Sequence, residues 1–422
     1  MKSKSRFFLL LLIFGLYGNS VSAGRLSDDL ADIVSTRQST ELIKVWIKLP
    51  AVKSVKQFKS TLTTSSISRM ERHTNTITFF KEKHALAQEE LLKKLNAIYK
   101  INKQTSPIKT HWLVNLIEAE LTVEQLFKIA ERNDVELIYP LPEIKSIAPI
   151  KNKLSAPLST GVETTLSYIN APAAWAAGYT GKGRVICSFD TGVDGNHPAL
   201  YNNWKGHDGD SSAAWFDPAK NEPFPHSNPD CFGFGCQAHG TQSMGIIVGH
   251  DDVSGDTIGV APDAKWISAA VMDLPGVSII DAFEWAADPD GDLNTLADVP
   301  DVINHSWGVP FIDCQNVFYT VIENIEALGI VNVFAAGNEG PATSSIRNPA
   351  NRANDSLDCF AVGNIDPNTD AVAQKSSRGP SDCNLGEIKP NVVAPGMAIR
   401  TSTLNGSYAS FSGTSAAVPH VA

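Results

Sequence analysis

Residues 184–190 of the chain, Arg-Val-Ile-Cys-Ser-Phe-Asp, form an apolar run that ends on a carboxylate and is followed directly by Thr191-Gly192. A short apolar run bounded by a turn signal predicts a fully buried β-strand. Four similar runs follow along the chain: Trp266–Met272, Asp301–Trp307, Ile330–Ala336 and Phe360–Ile365. Helical patterns separate them, most clearly Ser278–Ala287 and Val317–Leu328. This alternation predicts an α/β fold in which a parallel sheet is flanked by helices.

Reactive groups in such a sheet gather at the carboxyl ends of the strands, where Asp190 and Asn338 both fall. A serine hydroxyl needs an adjacent base to act as a nucleophile, and the ordinary pKa of an imidazole suits that task. A carboxylate then fixes the tautomer of the imidazole. We therefore expect Asp190 to orient His239, His239 to activate Ser415, and the Asn338 side chain to stabilise an oxyanion.

The two later groups are predicted to lie at helix starts. His239 precedes a helix-like run over Gly240–Gly249, and Ser415 precedes one over Ala416–Ala422. A serine at a helix start has an exposed hydroxyl and an N–H group that points at the site.

Other interpretations of these short motifs remain open. Asp190-Thr191-Gly192 is also the signature of aspartic peptidases, but that chemistry needs a second carboxylate, and no second Asp-Thr-Gly or Asp-Ser-Gly occurs. A catalytically inactive, secreted binding or scaffold protein on a peptidase fold is the other alternative. Taken singly, each motif is more often a turn or a cap, but their order along the chain favours a serine-type endopeptidase.

These segments also carry a family resemblance. Four of them resemble the signatures of subtilisin-like serine peptidases: Phe189–Asp194, Ala238–Thr241, Ala335–Asn338 and Ser412–Ser415. Finer matches are similar to the bacillopeptidase F-like branch: Asn196–Leu200, Ile258–Pro262, Ile303–Gly308 and Ile388–Pro390. The resemblance covers about residues 165–422 and implies hydrolysis of protein or peptide substrates, with no cofactor required for the chemistry.

Substrate-binding residues follow from the resemblance. It implies that Ser306, Trp307 and Gly308 pair through their backbone with the substrate as an added strand. Together with Ala335, Ala336 and Gly337, they would wall a specificity pocket whose small, uncharged residues favour an apolar side chain before the cut.

Two positions depart from the family pattern. Gln242 stands where the family usually has His, and Ala416 stands where it usually has Met. Relatives continue beyond the helix that Ser415 begins, so we expect the peptidase domain, residues 165–422, to be truncated at its C-terminus.

The first 23 residues read as a signal peptide. Lys2, Lys4 and Arg6 precede an apolar run, Phe7–Tyr17, and Val21-Ser22-Ala23 supplies small residues for cleavage. The run is too short to span a bilayer. We therefore expect a secreted protein, extracellular or periplasmic, with no membrane span in the mature chain.

Residues 24–150 predict a small α+β domain, ferredoxin-like in its order of elements. Alternating runs at Leu42–Leu49, His111–Leu121 and Glu136–Ile144 predict strands, the last at a sheet edge because of its prolines. A helical pattern covers Ala85–Ile98, and Thr122 with Gln125 predicts a capped helix through Arg132.

The family resemblance extends, more weakly, to this domain. It implies an inhibitory propeptide that assists folding, blocks the cleft with its C-terminal tail and is removed by self-cleavage near a linker, residues 151–164.

Charge supports that arrangement independently. Residues 24–155 carry a formal balance of +6, whereas residues 156–422 carry −19 within a net charge of −10. Opposite fields steer two surfaces together, and an acidic main domain argues against nucleic acid as a partner.

Cysteine and acidic residues give weaker signals. Cys231 and Cys236 are close enough to clip one loop before His239, while Cys187 could be a buried thiol. Asp288, Asp290 and Asp292 offer oxygens that suit a structural calcium ion, but the twelfth position of an EF-hand is Val299. The alternative interpretation is a solvated acidic turn, so these three residues are candidate ligands only.

Overall fold

A computed structural model describes residues 25–62, 67–150, 161–228, 231, 236–309, 314, 317–353 and 359–422. The predicted signal peptide, residues 1–23, and most of the predicted linker lie outside the described residues. Two compact units emerge: one holds the residues up to Pro50, Gln88–Thr110 and Asn115–Leu141, and the other holds Ala51–Ala87, His111–Val114 and Pro142–Ala422. The predicted propeptide thus contributes residues to both units.

The strands of the described residues are, in chain order, β1 (Leu42–Lys48), β2 (Lys109–His111), β3 (Leu116–Thr122), β4 (Leu137–Pro140), β5 (Val185–Asp190), β6 (Trp215–Phe216), β7 (His250–Asp251), β8 (Asp256–Thr257), β9 (Lys265–Ala270), β10 (Val302–His305), β11 (Val331–Ala335), β12 (Phe360–Asp366), β13 (Ala371–Val372), β14 (Val392–Pro395), β15 (Ile399–Ser402) and β16 (Tyr408–Phe411). The α-helices are α1 (Asp28–Ser35), α2 (Lys53–Leu62), α3 (Arg69–Asn102), α4 (Val123–Ala130), α5 (Thr164–Tyr168), α6 (Ala171–Ala176), α7 (Pro198–Tyr201), α8 (Cys236–Val248), α9 (Ile279–Ala287), α10 (Val317–Ala327) and α11 (Thr414–Ala417). No helix among the described residues combines the length and apolar character needed to cross a membrane.

The first unit is built on a four-stranded sheet of order β2-β3-β1-β4, in which β1 pairs antiparallel with both β3 and β4. Its core includes Leu30, Ile47, Leu95, Ile117 and Leu126. Burying this apolar surface drives the unit together.

In this unit one helix start agrees with the sequence expectation, and two strands differ from it. The capping box of Thr122 and Gln125 starts α4 as expected. The prediction of a single strand over His111–Leu121 is wrong, because a turn separates β2 from β3. Leu113 and Val114 are buried within that turn, so the apolar pattern continues where the strand does not. Strand β4 is shorter than expected, since Pro140 and Pro142 have no N–H group to donate.

The second unit confirms the α/β prediction. Its large sheet has the order β13-β12-β11-β10-β5-β9-β6, with β14 paired to β12. Strand β5 lies between β9 and β10, and both pairings are parallel. Strand β13 pairs antiparallel. Because the central strands run the same way, the residues that follow β5, β9, β10 and β11 share one edge of the sheet.

Helix starts differ slightly from the sequence expectation. Helix α8 begins at Cys236, so His239 lies inside its first turn instead of preceding it. Helix α11 begins at Thr414 and continues as a 3₁₀ turn, Val418–His420.

The Cys231–Cys236 clip is present, and a second disulfide joins Cys314 to Cys383. Cys187 is a buried free thiol.

Candidate active site

Asp190 and His239 are in direct contact. Asp190 is the last residue of β5, and its Oδ1 lies 2.7 Å from Nδ1 of His239. The N–H of Thr191 donates to the same oxygen at 2.8 Å and fixes the carboxylate. Gly240 permits this approach, because a Cβ there would lie 2.2 Å from the Gly192 carbonyl oxygen. The close contact between β5 and α8 therefore depends on a residue without a side chain.

The protonation of His239 is set by two opposing effects. Complete burial lowers the pKa of the imidazole, but the charge of Asp190 and its hydrogen bond raise it, and the net pKa is raised above the ordinary value. Because Nδ1 faces the carboxylate, the neutral ring carries its free electron pair on Nε2. Among the described residues Nε2 has no hydrogen-bond partner although it is buried.

Ser415 lies in the first turn of α11 and is fully buried, so the expectation of an exposed hydroxyl is wrong. Its hydroxyl donates to the carbonyl of Ile147 at 3.3 Å and lies 3.5 Å from the carbonyl oxygen of Ser306. The backbone of Ile147 also lies close enough to His239 to raise its pKa. Ser415 and His239 thus both face Ile147, while the hydrogen bonds of the described residues do not include one between the two side chains.

Asn338 is held by the residue before Ser415. Its Oδ1 accepts hydrogen bonds from the backbone N–H and the hydroxyl of Thr414, at 3.0 and 3.1 Å. Its Nδ2 therefore points away from Thr414 and donates to the carbonyl of Ala148 at 3.0 Å. Gly413 has φ +134, and a Cβ there would lie 2.7 Å from Nδ2. Glycine is thus required by the backbone and by the amide beside it.

The segment Pro142–Ile150 runs through this site, and we call it the tail. Ser146 forms an antiparallel bridge with Trp307, and Ile147 donates its N–H to the carbonyl of Ser306 at 3.1 Å. Further along, Ile150 donates its N–H to the carbonyl of Ser412 at 2.8 Å. The tail therefore adds a strand beside Ser306 and Trp307, where the family resemblance implies that a substrate would pair.

The Ile147 side chain is buried in an apolar cluster that includes Val333, Ala335 and Ala417. The neighbouring residues are less apolar than expected. A Cβ on Gly337 would lie 2.4 Å from Glu339 Oε2, and Glu339 pairs with Arg347 at 2.6 Å. Arg347 also donates to the carbonyl of Gly308 at 3.2 Å. An ion pair that sequence reasoning missed thus borders Gly308 and Gly337, while Ala335 and Ala336 are buried as small residues.

His305 supports Trp307 from below the site. The Trp307 indole donates to Nδ1 of His305, and Nε2 of His305 faces Oδ1 of Asn332, both at 2.9 Å. Burial lowers the pKa of His305 to about 3, so the ring is neutral. Both ring nitrogens are therefore engaged by neighbouring side chains of the fold.

The two departures from the family pattern lie close to the site without blocking it. The backbone carbonyl of Gln242 accepts a hydrogen bond from Thr401 at 2.8 Å. Ala416 packs with Ile246 and Phe411 in a small apolar cluster.

Asp273 is a further carboxylate in the site that the sequence did not reveal. It follows β9 at the same sheet edge as Asp190, and its Oδ2 accepts the hydroxyl of Ser146 at 2.6 Å. Burial raises its pKa, and the hydrogen bonds from Ser146 partly counter that rise. Its position after a parallel strand is the signal that could have identified it.

The acidic loop proposed for calcium is satisfied largely by its own donors. Asp290 accepts from the N–H of Asp292 at 2.8 Å and from the Thr295 hydroxyl at 2.8 Å. The N–H of Asp290 in turn donates to Asp298 at 2.9 Å. A second group, His111, Asp281 and Glu284, has ligand-type atoms within 4.8 Å of one another. One Glu284 oxygen there already accepts two backbone N–H groups, at 2.6 and 2.9 Å.

Comparison with known proteins adds a family match. The model of the family described as "Subtilase family" matches residues 181–422. Bacillopeptidase F of Bacillus subtilis (strain 168) is 32% identical over 392 residues, which cover 87% of this chain and 26% of that relative. Subtilisin E of the same organism is 29% identical over 296 residues, covering 68% of this chain and 67% of the relative. Membrane-bound transcription factor site-1 protease of Mus musculus is 31% identical over 268 residues, 60% of this chain and 21% of the relative. The chain thus spans about a quarter of bacillopeptidase F.

Proposed function

The chain belongs to the subtilase family, and from that premise we propose that it is a secreted serine endopeptidase made as a self-inhibited precursor. In this proposal Ser415 is the nucleophile, His239 the base, Asp190 the group that orients the base, and Asn338 the oxyanion donor. Ser306–Gly308 and Ala335–Gly337 bind the substrate.

One observation carries the proposal. The tail residues Ile147 and Ala148 touch Ser306, Ser415 and Asn338 together, through the N–H of Ile147 and the two successive carbonyls. A peptide bond placed against a buried hydroxyl, an amide donor and a free imidazole nitrogen is what peptide hydrolysis requires.

The proposed chemistry follows from the hydrogen-bond directions. Nδ1–H of His239 donates to Asp190, so Nε2 is free to take the proton from Ser415 as Oγ attacks the carbonyl carbon. The protonated ring is stabilised by Asp190, and it then passes the proton to the departing amide nitrogen. Water repeats the same steps on the acyl-enzyme and restores the hydroxyl of Ser415.

The same contacts support inhibition by the tail. Ser415 reaches the carbonyl of Ile147, whereas Asn338 donates to the next carbonyl, that of Ala148. Oxyanion stabilisation acts only on the carbonyl under attack, so the Ile147 carbonyl lacks the Asn338 donor while Asn338 binds the carbonyl of Ala148, which supports slow cleavage of the bound tail. We propose that residues 24–150 act as an inhibitory propeptide, released by cleavage near residues 151–164 after residues 1–23 direct export.

Labelling with a fluorophosphonate probe tests the assignment on protein expressed from the complete gene. We expect label on Ser415 and none in Ser415→Ala, since removal of the nucleophile in the related subtilisin lowers turnover by about 10⁶-fold. Label that survives Ser415→Ala rejects the assigned nucleophile. A stably folded protein that never labels supports the inactive binding protein, and activity blocked by pepstatin supports the aspartic peptidase.

Secreted protein that is fully active with residues 24–150 still covalently attached would reject the propeptide. Mass spectrometry of the active fraction measures this directly.

A further inference from the structure

The tail is held from two sides. On one side it pairs with Ser306 and Trp307, and on the other the N–H of Asp273 donates to the carbonyl of Ile144 at 2.9 Å. A bound chain is therefore clamped between the segments that follow β9 and β10. The register of the bound chain is fixed: the carbonyl of Ile147 faces the hydroxyl of Ser415, and Ser146 is the preceding residue.

Asp273 accepts a hydrogen bond from the side chain of that preceding residue, Ser146. Its Oδ2 accepts the Ser146 hydroxyl at 2.6 Å, and the Ser146 N–H lies 3.4 Å from the same oxygen. The backbone of Asp273 has φ +58, a left-handed conformation that Asp and Asn tolerate better than most residues. Backbone conformation and side-chain contact together aim the carboxylate at the tail.

The surroundings make this contact selective. The Cys231 sulfur lies 3.8 Å from the same carboxylate oxygen, so the Cys231–Cys236 clip borders the carboxylate on another side. Burial by the tail takes the carboxylate out of water, which is costly unless the bound chain supplies a donor. An apolar side chain leaves that oxygen of the carboxylate with only the long backbone contact of 3.4 Å from the bound chain, and an acidic side chain adds repulsion.

We propose that Asp273 is a specificity-determining residue, which selects substrates with a hydrogen-bond donor side chain at the residue before the one whose carbonyl Ser415 attacks. Hydroxyl side chains and cationic side chains share that chemistry. This inference rests on the proposed function, and Ser146 of the tail would be the chain's own example of the preferred residue.

A chromogenic peptide series tests the selection. Peptides of the form Glu-Ile-Lys-Xaa-Ile, taken from Glu143–Ile147 and ended by p-nitroaniline, fix the bond that is cut. Xaa is Ser, Thr, Lys, Ala or Asp. We expect kcat/KM for Ser, Thr and Lys to exceed that for Ala by about tenfold or more, because an unpaired buried acceptor is expensive. Asp should be the poorest substrate.

Variants of Asp273 separate the two kinds of donor. Asp273→Asn keeps an acceptor oxygen and suits the left-handed backbone, so it should retain part of the Ser preference and lose the Lys preference. Asp273→Ala should make Ser, Lys and Ala equivalent. Asp263→Asn, at an exposed carboxylate, is the matched control and should keep the wild-type order.

Equal kcat/KM for Ser, Ala and Asp in the wild type overturns the inference, as does an unchanged Ser-to-Ala ratio in both Asp273 variants. If the wild type labels on Ser415 and cleaves these peptides without selection, the proposed function stands and only this inference fails. A wild-type protein that neither labels nor cleaves any peptide rejects both.

Discussion

Two buried histidines of the second unit have pKa values that are shifted in opposite directions. His239 and His305 are both fully buried near the carboxyl edge of the same sheet. The partner of His239 is a carboxylate, which raises its pKa, whereas His305 faces the amide of Asn332 and burial lowers its pKa to about 3. Burial alone therefore does not decide the chemistry of an imidazole; the charge of its neighbour does.

Hydrogen-bond saturation separates them further. Both ring nitrogens of His305 are paired, with Trp307 and Asn332. Only Nδ1 of His239 is paired, and Nε2 is one of the unsatisfied buried atoms among the described residues. An unsatisfied buried nitrogen costs stability, and the proposed role of Nε2 as proton acceptor gives a reason for that cost.

Replacing the two rings should give the largest contrast. We expect His239→Ala to lower kcat by about 10⁶-fold, the loss known when a triad member that carries the proton is removed. His305→Gln should keep kcat within about tenfold, because Gln can still accept from Trp307, at a cost of about 1–3 kcal/mol in stability. Peptide hydrolysis and urea unfolding measure the two effects. Comparable kcat losses in both variants would contradict the assignment of His239 to catalysis and His305 to the fold.

Removing the charge from the His239 partner should have the next largest effect. Asp190→Asn is expected to lower kcat by about 10⁴-fold, because the amide no longer fixes the tautomer or stabilises the charged ring. In the wild type the raised pKa means that kcat/KM rises with pH through a value above that of an ordinary histidine. In Asp190→Asn the largest effects that oppose burial are removed and only the smaller ones of Asp273 and the Ile147 backbone remain, so the rising limb should move to lower pH. A pH–rate profile with an unmoved limb argues against Asp190 as the controlling charge.

The comparison also indicates what sequence could foresee. Strands β5, β9 and β10 were predictable because buried parallel strands are continuous apolar runs, and Asp190 fell at a strand end by the same rule. The proposed roles of His239 and Ser415 rest on their side-chain chemistry and their order in the chain. Asp273 also follows a predicted strand, but its contact with Ser146 was not predictable, since the two lie 127 residues apart and local periodicity carries no information on which distant segments meet. The strand prediction over His111–Leu121 was wrong for a related reason: buried apolar residues in a turn give the same sequence pattern as a strand.

A smaller loss of activity is expected at the oxyanion donor. Asn338→Ala should lower kcat by about 10²–10³-fold with little change in KM. Thr414→Val removes the hydroxyl that orients the amide but keeps the backbone N–H that binds the same oxygen, so its loss should be smaller. Steady-state kinetics on one peptide measure both. A Thr414→Val defect as large as that of Asn338→Ala would mean that Thr414 contributes more than orientation.

The smallest predicted effect is the contribution of His305 to the pH dependence of the free energy of unfolding. Its folded pKa of about 3 lies below the ordinary value of 6.5, so between these values the unfolded chain binds the extra proton. The stability from neutral His305 is therefore complete above 6.5 and is lost as the pH falls, by up to about 1.4 kcal/mol per pH unit. The physical cause is burial, which disfavours the charged ring; protonation would also set an N–H of His305 against the indole N–H of Trp307.

Urea unfolding between pH 7.5 and 5 should show a shallower acid slope in His305→Gln than in the wild type. Part of the slope should remain, because burial lowers the pKa of His420 to about 4 and gives the same sign. His239 has the opposite sign: its raised pKa stabilises the folded chain at low pH, and that contribution is lost as the pH rises through the folded pKa. His239→Ala should therefore leave the His305 slope in place. Parallel curves for the wild type and His305→Gln would show that this ring is not the buried neutral group that its contacts require.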